Sequence, residues 1–246
     1  MTAPRRPELS RPIPLVHLVH LAGGRGLRAG GNQPKQFLMT ARGPLFSVSL
    51  QTFLAGEGGH GYRLGAVVVT APVAGRGGVE TELARLRPDG PLRVAEPGPT
   101  RTASTWQALT KLAELEPAPD DLVAVHDAAR PFASADLLAA LVVQAAASGG
   151  AVPGLPVTDT IVWTGDPQVE YLERDALRAV QTPQVFRWDL LHAAHRWAAE
   201  NGRDFTDDGG LLAVRGHPPV LVPGEPGNWK VTSQQDCLRA VDLLAE

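Results

Sequence analysis

An apolar stretch at residues 13–21 runs directly into Leu21-Ala22-Gly23-Gly24-Arg25-Gly26-Leu27-Arg28-Ala29-Gly30, and Pro34-Lys35-Gln36 follows a few residues later. No other feature of the chain narrows its fold as much. The apolar stretch reads as a buried first strand, and a glycine-rich turn at the carboxyl end of such a strand is where α/β proteins hold phosphates. Glycine lets the backbone approach an anion with its N–H groups turned inward. Arg28 and Lys35 add two cations, which suggests chemistry on a polyphosphate as well as its binding. The segment is not a P-loop, because the chain contains neither Gly-Lys-Ser nor Gly-Lys-Thr. Against the dinucleotide fingerprint G-x-G-x-x-G it is an imperfect match at best, with Ala29 following Gly24 and Gly26.

The rest of the chain repeats the strand-then-helix rhythm. Strand-like runs lie at 64–70, 92–95, 122–126 and 150–152, and segments with helical periodicity lie at 45–54, 79–86, 103–115 and 135–147. That alternation predicts an α/β fold with a mostly parallel sheet covered on both faces, and ligands beyond the carboxyl ends of its strands. The rhythm breaks at Pro153-Gly154-Leu155-Pro156, after which 158–163 and 169–172 read as two strands joined by the turn Thr164-Gly165-Asp166-Pro167. A two-stranded hairpin is marginal alone and needs a surface to lie on, a second subunit being the simplest. The chain returns through Gln181-Thr182-Pro183-Gln184 to a helix at 187–200, a strand at 219–222 and a last helix at 233–244.

A chain of 246 residues suits one sizeable domain, here 13–246 with an insertion at 156–178, behind a disordered leader at 1–12. A net charge of -3 offers no basic field for nucleic acid. The single cysteine, Cys237, excludes an internal disulfide and a cysteine-based zinc cluster. Arg5-Arg6 precedes an apolar stretch too short for a membrane span and interrupted by His17 and His20, so a cytoplasmic protein without membrane or nucleic-acid partners is expected.

Three further segments carry chemistry-bearing side chains. His126-Asp127-Ala128-Ala129-Arg130-Pro131 follows a strand, which puts Asp127 on the same face as the glycine loop. There it is either a magnesium ligand or a turn and helix-capping residue, and the neighbouring polyphosphate loop favours the metal. Arg130 either forks onto a phosphate or pairs with a surface carboxylate. Pro97-Gly98-Pro99-Thr100-Arg101-Thr102-Ala103-Ser104 opens a helix, as an anion site or as a plain capped start. Asn228-Trp229-Lys230-Val231-Thr232 presents a late lysine that in isolation reads as a solvated surface residue.

In order and spacing these segments, with Asp159-Thr160 and Thr182-Pro183-Gln184, resemble the 2-C-methyl-D-erythritol 4-phosphate cytidylyltransferases of the nonmevalonate isoprenoid pathway. The resemblance runs from about Val16 to the C-terminus. It implies a Rossmann-like nucleotidyltransferase sheet with a β-hairpin dimerisation arm, a homodimer, and Mg²⁺-dependent joining of CTP to a polyol phosphate with release of pyrophosphate. By matching, Arg28, Lys35, Arg174 and Lys230 are the catalytic cations. Ala22, Gly23, Gly24, Gly26, Gly98, Arg101 and Ser104 contact the nucleotide. Arg130, Thr160, Arg174 and Thr182 contact the second substrate, and Asp127 helps hold Mg²⁺.

Some positions depart from the family pattern. Gly23 stands where alanine is common and is expected only to loosen the loop. Arg25 adds a cation without an assigned role. Pro99 replaces a residue that is often acidic, and Gly227 lacks a side chain that could assist Lys230. Ribitol-5-phosphate cytidylyltransferases share the loop, the aspartate motif and the late lysine, so they form the nearest alternative. A nucleotide-binding module without turnover is the non-enzyme alternative, and the retained Arg28, Lys35, Asp127, Arg174 and Lys230 speak against it.

Overall fold

A computed structural model describes residues 13–24, 34–87, 89–165 and 168–245. The expected leader at 1–12, most of the glycine loop with Arg25, Gly26 and Arg28, and Asp166-Pro167 of the hairpin turn lie outside the described residues. The elements run β1 (Leu15–Leu21), β2 (Met39–Thr40), β3 (Gly43–Pro44), α1 (Leu45–Ala55), β4 (Arg63–Thr70), α2 (Arg76–Leu86), β5 (Leu92–Ala95), α3 (Arg101–Ala113) and β6 (Leu122–Asp127). They continue with α4 (Ala135–Ser148), β7 (Gly150–Pro156), β8 (Ile161–Trp163), β9 (Glu170–Leu172), β10 (Arg178–Val180), β11 (Gln184–Arg187), α5 (Trp188–Glu200), α6 (Asp208–Val214), β12 (Val220–Pro223) and α7 (Gln234–Leu243).

The main sheet follows the order β5-β4-β1-β6-β11-β7, with β1 central and parallel to both β4 and β6. β11 is antiparallel to both β6 and β7, so β7 runs parallel to β6 across it. β10 pairs antiparallel with β7 through Gly154–Pro156, and β12 lies parallel along β7's other edge. The sheet is mostly parallel, as expected. The strand β11 is a correction, because Gln181-Thr182-Pro183-Gln184 read as a simple link into a helix. Its four residues follow a proline and pass into α5 with no turn residue to mark the change.

Alternate side chains of the central strands feed two cores. Val16, Leu18, Leu122 and Ala124 face α1, α2 and α4, packing with Phe46, Leu50, Leu83, Leu138 and Leu141. Val19, Val123 and Val125 face α3, α5 and α6, packing with Leu109, Leu112, Leu191 and Leu211. This is the two-sided burial that makes parallel strands read as continuous apolar runs. A smaller cluster of Leu45, Val48, Val231, Ala240 and Leu244 docks α7 onto α1. Ser134 caps α4 by accepting the Leu137 N–H at 3.0 Å, and Gly149 ends it at φ +87°. The hairpin β8–β9 is a separate two-stranded sheet, and Trp163 (52%) and Tyr171 (72%) stand exposed on it. No described helix is long and apolar enough to cross a membrane.

Candidate active site

The carboxyl ends of β1 and β6 lie side by side, with Leu21 opposite Asp127. This register brings the start of the glycine loop beside the aspartate. At the loop's entry the Ala22 and Gly23 N–H groups donate to the Thr70 hydroxyl at 3.1 and 3.2 Å. The Gln36 amide donates to the carbonyls of Ala22 (2.8 Å) and Gly24 (2.5 Å), tying the loop's exit to its entry. Gly23 does more than loosen the loop. A Cβ there would lie 2.3 Å from Cβ of Pro97, so the glycine leaves room for the proline ring. Gly98 is tight as well, since a Cβ would sit 2.5 Å from that of Ala103. Ser104 turns its hydroxyl onto the carbonyls of Thr100 (2.7 Å) and Gly98 (3.3 Å), holding that turn against the start of α3.

Asp127 is the centre of the cluster. Its Oδ2 accepts from Lys230 Nζ at 2.6 Å, and its Oδ1 lies 3.4 Å from Nε of Arg101. One residue beyond Lys230, the Val231 carbonyl accepts from the Lys35 ammonium, so both lysines meet the same short segment. Burial alone would raise the Asp127 carboxyl, but Arg101 and Lys230 outweigh it and bring the group down to about 2. The aspartate is therefore a carboxylate at any working pH.

Beneath it the polar atoms are ordered by a chain of donors. His126, fully buried, is pushed down to about 3 by burial and by its neighbour His20, and is neutral. Its Nε2 faces the Arg130 carbonyl at 3.0 Å, which only accepts, so Nε2 carries the proton. Nδ1 then accepts from the Thr182 hydroxyl at 3.2 Å, and that oxygen accepts the Asp127 N–H at 3.0 Å. Thr182 is buried, and its hydroxyl is engaged inside the chain. The segment bearing Lys230 is held likewise. Asn228 donates to the Thr182 carbonyl at 2.9 Å, while its own carbonyl accepts from Arg130 (2.7 Å) and Gln181 (3.2 Å).

The structure thus brings Ala22, Gly23, Gly24, Lys35, Arg101, Asp127, Arg130, Thr182 and Lys230 to one end of the sheet. It does not bring Thr160 and Arg174 there within one chain. Both are exposed on the arm, where Arg174 donates to the Thr158 carbonyl at 2.8 Å. Gly26 and Arg28 lie outside the described residues.

Asp208, His195 and Gln184 belong to the cluster, but the sequence reading gives none of them a site role, although it quotes Gln184 in Thr182-Pro183-Gln184. Asp208 accepts from Nη2 of Arg101 at 2.8 Å and from His195 Nε2 at 2.9 Å. Buried Gln184 accepts the N–H groups of Asp208 (3.2 Å) and Gly209 (3.0 Å). The available signal was Asp207-Asp208 after Phe205, an acidic pair opening a short helix whose N-cap is Asp207.

No group of three or more histidine, cysteine, aspartate or glutamate side chains among the described residues is arranged to hold a metal. Asp127 is a strand-end carboxylate, the type of oxygen donor that Mg²⁺ takes singly or in pairs beside water and substrate phosphates, and its two oxygens face Lys230 and Arg101.

Comparison with known proteins agrees with this geometry. A family model described as IspD, 2-C-methyl-D-erythritol 4-phosphate cytidylyltransferase, matches residues 16–246. The bifunctional enzyme IspD/IspF of Rhodopseudomonas palustris (strain BisA53) is 39% identical over 231 residues, covering 92% of this chain and 54% of the relative. The enzyme of the same description from Bradyrhizobium diazoefficiens is 36% identical, covering 93% of this chain and 55% of the relative. The chain spans about half the length of the curated relatives it matches. The crystal structure of 2-C-methyl-D-erythritol 4-phosphate cytidylyltransferase from Thermus thermophilus superimposes with a TM-score of 0.70 at 33% identity, covering 95% of this chain and 100% of that one. The glycine loop, the Asp127 cluster and the late lysine therefore sit in a chain that belongs to the 2-C-methyl-D-erythritol 4-phosphate cytidylyltransferase (IspD) family.

Proposed function

We propose that this chain joins CTP to 2-C-methyl-D-erythritol 4-phosphate, giving 4-diphosphocytidyl-2-C-methyl-D-erythritol and pyrophosphate. The observation that carries the reading is the meeting of Lys230 with Asp127 at 2.6 Å, with Lys35 held one residue further along on Val231. An oxygen of the phosphate monoester forms a bond to the α-phosphorus of CTP, the bond from that phosphorus to the bridging oxygen breaks, and pyrophosphate leaves with the electron pair. The attacking oxygen is already deprotonated, so no general base is required, in keeping with a neutral His126. Two anions must approach each other, so the chain has to supply fixed positive charge around the reacting phosphorus.

In this reading Lys35, Lys230 and Arg28 carry that charge, with Arg174 contributed from the arm. Ala22, Gly23, Gly24, Gly26, Gly98, Arg101 and Ser104 surround the nucleotide. Arg130, Thr160 and Arg174 take the phosphate of the second substrate, and Thr182 holds the Asp127 backbone between the two sides. Mg²⁺ would be held by Asp127, and when bound it supplies further neutralisation of the phosphates. The exposed arm supports reading the protein as a homodimer whose partner brings Thr160 and Arg174 to the site.

Pyrophosphate release with CTP and Mg²⁺ tests the reading, comparing methylerythritol 4-phosphate with ribitol 5-phosphate. Release with the first substrate alone supports it. Release with ribitol phosphate alone keeps the chemistry and moves the substrate. CTP binding without release from either would make the chain a binding module.

A further inference from the structure

Asp208 takes no part in the proposed chemistry, yet it is more deeply buried than Asp127, at 1% exposure. Both of its oxygens are engaged, one by His195 and one by Arg101. Arg101 therefore spans two carboxylates, with Nη2 on Asp208 at 2.8 Å and Nε at a loose 3.4 Å from Asp127. A guanidinium beside a single carboxylate closes on it as a two-pronged fork. With Nη2 held on Asp208, it is Nε that faces Asp127, and Oδ2 of Asp127 accepts from Lys230.

We propose that Asp208 is a positioning residue. By gripping Arg101 it keeps the guanidinium close enough to offset the Asp127 charge, but prevents it from capturing both oxygens. Asp127 then stays compensated when Lys230 turns to the phosphates. His195 and Gln184 fix Asp208 from the other side, through its Oδ1 and its N–H.

A plain clasp between α3 and α6 is the competing role. The structure already ties α3 to the segment leading into α6 through Thr102, whose hydroxyl donates to the Phe205 carbonyl at 3.0 Å and accepts the Phe205 N–H at 2.9 Å. The kinetic arm of the test rests on the proposed cytidylyl transfer, so a second arm does not.

In the kinetic arm, Asp208→Asn should lower kcat/KM for CTP by about 10- to 100-fold. Combined with Arg101→Gln, it should add no further loss, because Asp208 acts through Arg101. Full additivity of the two losses would overturn the proposal. In the second arm the Nε–Hε resonance of Arg101, identified by its loss in Arg101→Lys, is followed by nitrogen-resolved NMR. It should exchange slowly with solvent in the native chain and fast in Asp208→Asn. Unchanged protection would overturn the proposal even in a protein without turnover. If Asp208→Asn does not fold, His195→Ala and His195→Gln take its place. The glutamine restores a donor to Asp208, so it should recover the protection and rate that the alanine loses. Equal behaviour of the two would overturn the proposal.

Discussion

The Asp127 cluster and the β8–β9 arm are built on opposite principles. Around Asp127 the side chains of His126, Thr182, Gln184 and Asn228 are buried and bonded within the chain: the Thr182 hydroxyl to His126, the Asn228 amide to the Thr182 backbone carbonyl, and the Gln184 carbonyl to the Asp208 backbone N–H. On the arm, Trp163, Tyr171 and Arg174 are exposed, and among the described residues strands β8 and β9 pair with each other in a sheet of their own. A charge needed at a reacting phosphorus gains from being fixed in advance, because no reorganisation is then required during the reaction. A hairpin of two strands cannot provide that fixity alone. One region is held together by bonds within a single chain, whereas the other leaves large apolar side chains exposed.

The largest effect is expected where the internally bonded region touches the chemistry. Lys230→Ala should reduce pyrophosphate release by about 10²–10³-fold, the usual loss when one preorganised transition-state donor is removed. The fold should persist, because the Lys230 side chain is 42% exposed and its loss leaves Asp127 paired with Arg101. Turnover measured beside circular dichroism separates the two. Full activity in the alanine variant would remove the reason for placing the reaction here.

The second effect follows from the acidity of Asp127. Its carboxyl is held near 2, below the ordinary value of 3.8, so ionisation stabilises the fold. That contribution is fully present above about pH 4 and is lost as pH falls through about 2, amounting to about 2 kcal/mol. Urea unfolding followed between those limits should show stability falling with acid, and Asp127→Asn should flatten part of the slope. An unchanged slope in the variant would mean that the cluster gains nothing from the charge.

How much of this contrast is legible in the sequence depends on how far apart its parts lie in the chain. The strands at 64–70 and 122–126 read correctly because burial on both faces leaves nearly continuous apolar runs, whereas 92–95 is a short edge strand with Arg93 exposed. The helix predicted at 79–86 begins earlier, at Arg76, because Gly77-Gly78 reads as loop. Asp127 and Lys230 are legible as motifs, but their contact joins positions 103 residues apart, and no local pattern encodes it. Asp208 and Gln184 escape for a related reason. Each is an ordinary polar residue in its own segment and gains its role only where β11 enters the sheet beside β6. The arm, by contrast, is punctuated by prolines and glycines and stands out in the sequence at once.

A smaller effect is expected one layer below the chemistry. Thr182→Val keeps the shape of the side chain but leaves the Asp127 N–H and His126 Nδ1 without their partner. Such buried unpaired groups cost about 1–3 kcal/mol, which a shift in the denaturation midpoint would register. Because the backbone of Asp127 also loosens, kcat should fall while KM for CTP holds. Loss of stability alone, with kcat intact, would show that the hydroxyl only fills space.

The smallest effect on the fold belongs to the arm, and it is the one that would break the comparison. Trp163 and Tyr171 are 52% and 72% exposed, so replacing both with serine removes little that the single chain buries. Unfolding of the separated chains should change by about 0.5 kcal/mol or less, as for surface substitutions in general. If the arm's apolar face lies against a second copy, the same double variant should shift the light-scattering mass at micromolar protein from two chains to one. Turnover should then fall with it, because Arg174 of the arm would no longer reach the neighbouring Asp127 cluster. A variant that stays dimeric, or a native protein that is already a monomer, would mean that the arm completes nothing and that the site must do its work within one chain.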